Sequence, residues 1–286
     1  MLVRNFSRSL IFIWVYECWE KTNMSFDFSN SEKAKYISAK HALGSIKNGM
    51  RVGLGTGSTA SWFIVFLAEL VRKDGLQILA TSTSTQTKSL AESVGIKVVS
   101  LKEINGIDLT VDGADEFDDQ LNLIKGGGGA LLQEKIVAAA SSKMIVIADE
   151  AKRVNTLGKF PLPIEIVPFG VETIERNLSQ LLTSLGYEKP KGVLRKKFNE
   201  VFLTDEGHYI LDYKLSRMNK VEDLALNINN LPGVVEHGIF IGLCDEVFVG
   251  KSNGVVDVYS NKTKASFSYK IDLDEMSFIK SMIEGK

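Results

Sequence analysis

The sequence predicts an α/β fold, a mostly parallel sheet covered by helices on both faces, followed by a second, smaller α+β unit. Short strand-like runs alternate with helix-length segments through the first half of the chain, the pattern of successive βαβ units. Those strand-like runs are apolar throughout rather than alternating, as in sheets buried from both sides. Beyond residue 157 the texture changes: three of the five prolines fall within 160–168, and turn chemistry follows.

The elements follow in order. Residues 1–30 stand apart, with Arg4 and Arg8 ahead of an apolar run, Leu10 to Tyr16. That run is at the short limit for a signal-peptide core, is followed by Glu17 and Glu20, and has no small-residue cleavage site. It is far too short to span a bilayer. An extension, or a translation start at Met24, is expected in preference to a targeting sequence. Ser31 can cap a helix over 31–46. A strand is expected over 51–54, a helix over 58–72, strands over 76–81, 97–99, 108–112 and 144–148, and helices over 85–94 and 130–141. The proline-rich stretch 160–168 reads as a crossing between domains. A helix over 171–185 follows, then strands around 201–203 and 209–213 joined by the turn residues Asp205-Glu206-Gly207. A helix over 221–229 and a strand over 234–236 complete a unit resembling a ferredoxin-like split. Strands over 245–249 and 255–259 return to the large sheet, and the polar last 25 or so residues receive no role. The expected organisation is an extension (1–30), a large domain (31–157 plus about 238–262), a small domain (158–237) and a tail (263–286).

Composition excludes some classes. With 44% apolar and 24% charged residues the chain is an ordinary globular protein. A formal net charge of −1 gives no general attraction to nucleic acid or anionic membrane. Cys18 and Cys244 are too few for a disulfide framework or a zinc site, which favours a reducing, cytoplasmic setting.

The chemistry concentrates in 125–134, KGGGGALLQE. Four consecutive glycines lose much backbone entropy on folding. What they gain is close approach to a ligand and free N–H groups ahead of a helix. Lys125, the amides of Gly126 to Gly128 and Glu134 one turn into that helix suit moving a proton on an anionic substrate; a flexible linker would not lead into ALLQEKIVAAA. Residues 53–60, GLGTGSTA, formally match a dinucleotide fingerprint. The next strand, however, ends in ATSTST, without the acidic residue that holds a ribose. Thr56, Gly57, Ser58 and Thr59 instead suit a phosphate or sugar oxygens. Gly250-Lys251-Ser252 echoes a P-loop, but position 245 is Asp245, and the reading fails. In VDGADEFDD (111–119), Asp112 stands at a strand's C-terminal end, with Gly113, Ala114 and Asp115 after it. Sugar contact, a plain acidic turn and a metal site are the three readings; the spacing does not match a calcium loop and no histidine is near. A solvated turn fits Asp118 and Asp119 best. Lys152 follows another strand and can meet an anion. His41, His208 and His237 are isolated and receive no catalytic task.

Together these stretches resemble ribose-5-phosphate isomerase of the A type over roughly residues 31–260. The resemblance is carried by GLGTGSTA (53–60), TVDGADE (110–116), IKGGGGALLQEK (124–135), IADEAK (147–152) and LGKFPLPIEIVP (157–168). It implies a Rossmann-like domain with a smaller ferredoxin-like domain, and interconversion of ribose 5-phosphate and ribulose 5-phosphate in the non-oxidative pentose phosphate pathway. It also implies no cofactor, no metal, and assembly as a homodimer or homotetramer. By motif position Glu134 is the proton acceptor, while Thr56 to Thr59, Asp112 to Asp115, Lys125 to Gly128 and Lys152 bind substrate. On the mechanism this suggests, Glu134 moves the C2 proton, Lys125 and the glycine amides stabilise the enediolate, and Asp112 serves ring opening or the shuttle between oxygens. Asp115 then orients hydroxyls, with Ser58, Thr59 and Lys152 at the phosphate. A related amino-sugar-phosphate enzyme or a coenzyme A transferase on the same architecture is one rival, and a silent sugar-phosphate sensor is another. The first would need a catalytic histidine and the last a DNA-binding module, and neither is visible.

Overall fold

The computed structural model describes residues 28–260 and 264–285; the expectations for residues 1–27 fall outside them. Helix α1 (Asn30–Ala42) begins earlier than predicted, because its cap is Ser29, whose hydroxyl accepts the Glu32 N–H at 3.2 Å. Ser31, expected as the cap, lies inside the first turn and donates to Asp149 Oδ2 at 2.9 Å. Strand β1 (Arg51–Leu54), helix α2 (Ser58–Lys73), β2 (Leu79–Ser82), α3 (Thr85–Ser93) and β3 (Leu109–Asp112) follow. The strand expected over 97–99 is reduced to one bridge between Ala80 and Val98. Next come β4 (Glu116–Phe117), β5 (Leu123–Ile124), α4 (Leu131–Ala139) and β6 (Met144–Asp149). The second half runs β7 (Leu162–Ile166), α5 (Val171–Ser184), β8 (Gly192–Leu194), β9 (Lys196–Lys197), β10 (Glu200–Val201), β11 (Tyr209–Tyr213), α6 (Val221–Asn229), β12 (Val234–His237) and β13 (Ile239–Phe240). Strands β14 (Glu246–Gly250), β15 (Val255–Ser260) and β16 (Lys264–Ser268) precede the last helix, α7 (Leu273–Glu284).

The large sheet has the order β16-β15-β14-β6-β3-β1-β2. It is parallel from β2 to β14 and antiparallel across the last three strands. Trp62, Phe63, Ile64, Val65 and Leu67 are all buried on α2, so this helix is covered all round and not merely on a stripe. The covering is completed by α7, whose Met276 and Ile279 join the same core. The C-terminal stretch is therefore not an idle tail: β16 extends the sheet and α7 seals α2.

A second, four-stranded sheet, β12-β7-β11-β8, is antiparallel, and with α5 and α6 it follows the split βαβ chain order. Residues 162–166, expected within a crossing between domains, are its fully buried strand β7. Pro163 is tolerated there because its ring lies over Gly238, where a Cβ would stand 2.8 Å from the proline Cδ, while its carbonyl accepts the Gly238 N–H at 2.8 Å. The hairpin expected over 201–213 is also revised: β10 pairs with β9, and β11 with β8 and β7. Phe198 and Asn199 carry φ of 52° and 67° between β9 and β10, a tight turn of the kind usually built from Asn-Gly, which is why the sequence did not signal it.

The large sheet reverses strand order at one point. From β1 the chain crosses to β2 on one side, and β3 lies on the other. The loops leaving the carboxyl ends of β1 and β3 diverge there, opening the crevice in which sheets of this kind bind ligands.

Candidate active site

Both diverging loops depend on close strand contact. A Cβ at residue 55 would fall 2.2 Å from Asp112 Oδ1, so glycine lets the Asp112 carboxylate lie against β1. There Oδ1 accepts the N–H of Thr56 at 3.0 Å and of Gly113 at 2.7 Å. The fingerprint-like glycine spacing thus serves strand packing. Gly57, at φ 113°, then turns the chain into α2, leaving the Ser58 and Thr59 end of that helix on the cleft. The Thr56 hydroxyl is committed inward, bonding Thr83 (2.7 Å), Ser84 (2.8 Å) and Thr87 (3.0 Å). The ATSTST stretch, read from sequence only as lacking a carboxylate, supplies two of these three partners, Thr83 and Ser84.

At the centre Lys125, 2% exposed, has its Nζ 2.5 Å from the Gly113 carbonyl, 3.0 Å from Asp112 Oδ2 and 3.0 Å from Glu134 Oε1. One buried cation thus lies between two buried carboxylates, an excess of one negative charge. Burial raises the pKa of Glu134 to about 8; Lys125 opposes the shift and the Asp112 charge adds to it. Burial likewise raises Asp112, against the pull of Lys125. For Lys125 burial acts downward, but Asp112 and Glu134 outweigh it and hold the ammonium above its ordinary value. Glu134 Oε2 is buried with no hydrogen-bond partner among the described residues.

The glycine run forms the facing wall. Gly126 (φ 100°) and Gly129 (φ 85°) turn the chain, with the Gly129 N–H on the Gly126 carbonyl at 2.9 Å. Asp115 Oδ2 accepts the Gly127 N–H at 2.7 Å. Thr56, Gly57, Ser58, Thr59, Gly113, Ala114, Asp115, Lys125, Gly126, Gly127, Gly128, Glu134 and Lys152 all line one cleft of about 200 Å3. Asp112 does not; it is fully buried behind Lys125. Three lining residues escaped the sequence reading: Ser31 and Lys35 on α1, and Asp149 at the end of β6. Ser31 and Asp149 are joined by their hydrogen bond, and no sequence signal separates Lys35 from any surface lysine.

Elsewhere the acidic turn differs from expectation. Asp118 is not solvated but buried, accepting the N–H groups of Gln120 (3.0 Å) and Asn122 (2.9 Å), while Asp119 pairs with Arg153 at 2.8 Å. Glu116 is buried and accepts the N–H groups of Gly158 and Phe160 at 2.8 and 2.5 Å, which ties the LGKF stretch beneath the site. His208 lies 3.0 Å from Glu165, and His237 Nδ1 3.3 Å from Lys135 Nζ, both apart from the cleft. Among the described residues no group of three or more His, Cys, Asp or Glu side chains could hold a metal ion, and no helix is long and apolar enough to cross a membrane.

The family model for ribose 5-phosphate isomerase A (phosphoriboisomerase A) matches residues 79–254. Ribose-5-phosphate isomerase A of a Ruegeria species is 53% identical over 235 residues, covering 82% of this chain and 90% of that protein. Its counterpart in Ruegeria pomeroyi is 51% identical with the same coverage. Among solved structures, ribose 5-phosphate isomerase from Plasmodium falciparum superposes with a TM-score of 0.74 at 35% identity, over 84% of this chain and 99% of that one. A D-ribose-5-phosphate isomerase in complex with phospho-erythronic acid gives 0.73 at 38% identity, over 84% and 100%.

Proposed function

Because this chain belongs to the ribose 5-phosphate isomerase A family and is an aldose–ketose isomerase of ribose 5-phosphate and ribulose 5-phosphate, we propose that Glu134 is the base that moves its proton. The observation that carries this is the free Glu134 Oε2, a buried carboxylate oxygen with an unused lone pair beside Lys125. In the open-chain aldose, Oε2 takes the C2 proton, and the C–H electrons form the C1–C2 double bond while the carbonyl electrons pass to O1. The resulting cis-enediolate carries its charge on oxygen beside Lys125 and the glycine amides. The protonated Glu134 returns the proton to C1, the C1–C2 double-bond electrons taking it up, as the O2 hydroxyl passes its proton to O1 and C2=O2 forms, giving the ketose. A positioned base of this kind is worth about 10²–10⁴ in rate.

Asp112 acts through Lys125 in this reading. It lies outside the cleft, so its task is to hold the ammonium in place and balance its charge while protons pass between the substrate oxygens. Asp115, bonded to the Gly127 N–H, orients both the glycine wall and a substrate hydroxyl. Lys35 and Lys152 flank the Ser58 end of α2 on the cleft, a setting that suits the phosphate. The phospho-erythronic acid bound by the solved relative is a phosphorylated acid with a planar anionic group at one end, the shape of an enediolate. In this reading the cleft would take such a molecule with its phosphate toward Ser58 and its carboxylate toward Lys125. We further assign the enzyme to the non-oxidative pentose phosphate pathway in the cytoplasm, as a homo-oligomer, with the seven-stranded and the four-stranded sheets as the centres of two domains.

The test is isomerisation of ribose 5-phosphate in excess chelator by wild type and Glu134→Gln. Turnover that survives chelation and is lost in the variant, with phospho-erythronic acid still bound, supports the assignment. Near-normal turnover by the variant removes Glu134 from the role.

A further inference from the structure

Residues 195–208 belong to the small sheet side of the molecule, yet they reach the glycine run and the segments beside it. Phe202 fills the space beside Gly129, where a Cβ would lie 2.4 Å from its ring. Asp205 Oδ2 accepts the Thr85 N–H at 2.7 Å, and Glu206 Oε1 accepts from Gln133 Nε2 at 2.7 Å. Arg195 goes further and bonds the backbone of the wall itself. Its Nη1 donates to the carbonyls of Gly126 at 2.7 Å and Gly127 at 3.2 Å.

The guanidinium is itself fixed. Asp212 on β11 accepts from Nε at 2.8 Å and takes Nη2 on its other oxygen, a forked pair between diagonal neighbours on adjacent strands. The backbone of Arg195 is held from both sides, its N–H on the Ile210 carbonyl at 2.8 Å and its carbonyl accepting the Phe202 N–H at 2.9 Å. Arg195 is 14% exposed at its side chain and does not line the cleft. It stands behind the wall.

A trans peptide directs its C=O and N–H oppositely. With the Gly127 carbonyl turned back to Arg195, the Gly128 N–H turns away from it, at a residue that lines the cleft. That N–H makes no hydrogen bond among the described residues. Asp115 already fixes the Gly127 N–H and Gly126 the Gly129 N–H, so the Gly127–Gly128 peptide is the one link whose direction depends on Arg195. In a run of four glycines no side chain opposes a peptide flip, and an external brace is the means available.

We propose that Arg195, fixed by Asp212, is a positioning residue of the isomerase: it locks the Gly127–Gly128 peptide so that the Gly128 N–H is presented to the oxygen on which charge develops. The inference rests on the glycine run being the wall that stabilises the enediolate. A cation on the Gly127 carbonyl also polarises that peptide, strengthening the N–H as a donor.

The experiment compares wild type, Arg195→Met, Arg195→Lys, Asp212→Asn and Glu134→Gln for kcat, KM, affinity for phospho-erythronic acid and thermal unfolding. Losing one preorganised donor costs about 10²–10³ in kcat, and misaiming one costs less, so Arg195→Met should lose about 10- to 100-fold. Its KM should stay within about threefold, because a donor needed mainly in the transition state affects turnover more than binding. Phospho-erythronic acid should bind more weakly by about the same factor as kcat falls. Arg195→Lys and added methylguanidinium should each recover part of the loss, which a merely structural role would not show. A kcat for Arg195→Met within twofold of wild type, with Glu134→Gln inactive, overturns the proposal and leaves the site reading intact. A kcat loss that tracks the unfolded fraction overturns it as well. Activity retained by Glu134→Gln instead overturns the site reading beneath it.

Discussion

Replacing Glu134 with glutamine should alter how stability depends on pH. In the folded protein burial raises this carboxyl from 4.5 to about 8. In the unfolded chain it titrates near the ordinary value of about 4.3. Between those two values the unfolded state has released a proton that the folded state keeps, so stability must fall as pH rises. Below about pH 4 the group is protonated in both states and adds no slope; above about 8 it is ionised in both and the loss is complete. At about 1.4 kcal/mol per unit the shift sets a ceiling of about 5 kcal/mol. Lys125 shares the coupling, so roughly 2–4 kcal/mol is the expected fall. Glutamine keeps the shape and still accepts from Lys125, while its amide group meets the place where Oε2 had no partner. That costs about 1–3 kcal/mol, but equally at every pH. The assay is urea unfolding of both proteins from pH 5 to 9.5, read as the difference between the two curves. The wild type should lose ground steadily against Glu134→Gln up to about pH 8 and then run parallel to it. A difference independent of pH, or one that grows in favour of the wild type, would refute the burial argument and the raised carboxyl together.

The same shift fixes the sign in catalysis: kcat/KM should climb with pH as Glu134 ionises, with its midpoint near pH 8, and a limb centred in the ordinary carboxylate range would contradict the assignment. Gly127 and Gly128 should part company on alanine substitution. At 127 a Cβ meets Asp115 Oδ1 at 2.6 Å, whereas at 128 the nearest atom is Thr56 Cγ2 at 3.8 Å. Gly128→Ala should therefore keep its melting temperature within about 2 °C and lose activity, while Gly127→Ala should melt lower; differential scanning calorimetry beside a rate assay separates them. Lys35→Ala should raise KM for ribose 5-phosphate by about tenfold, the equivalent of ~1.4 kcal/mol, with kcat nearly kept. A Lys35→Ala enzyme with unchanged KM would place the phosphate elsewhere.

Much of this site was legible because its chemistry is local in sequence. Lys125, the glycines and Glu134 fall within ten residues, and the strand-end position of Asp112 could be read from the apolar run before it. What could not be read were partnerships across the fold. That Asp112 is buried against Lys125 and does not line the cleft could not be read, because nothing in a sequence shows which side chain stands in front of which. The Thr56 hydroxyl looked free because its partners, Thr83, Ser84 and Thr87, lie in the turn after β2 and at the start of α3. Arg195 carried no motif at all, and its meaning comes from carbonyls some 70 positions away. The misread elements share a cause of a different kind. The prolines at 161 and 163 argue against a central strand by local rule, and only Gly238, far along the chain, makes room for one. The polar C-terminal segment lacked a run of apolar residues, yet Met276 and Ile279 at helical spacing suffice to close a core that α2 had left open.

On the proposal that Glu134 is the base, it must meet two opposed demands, and the trio resolves both. To remove a proton from carbon, Glu134 must hold it firmly, which burial provides by lifting the carboxyl to about 8. To return that proton to the neighbouring carbon within the same turnover, it must not hold it too firmly, and Lys125 at 3.0 Å tempers the shift. When Glu134 takes the proton, its negative charge disappears from the trio and a new one arises on the substrate oxygen. Lys125 then exchanges one anionic partner for another while Asp112 stays where it was. The net charge of the buried site is thereby nearly constant along the reaction, and little has to reorganise, which is the condition under which fixed charges in a dry cleft lower a barrier most. Asp112 earns its place on this argument without touching the substrate. Without the Asp112 charge Lys125 would hold the Glu134 carboxyl lower, so Asp112 adds to the basicity that burial chiefly provides.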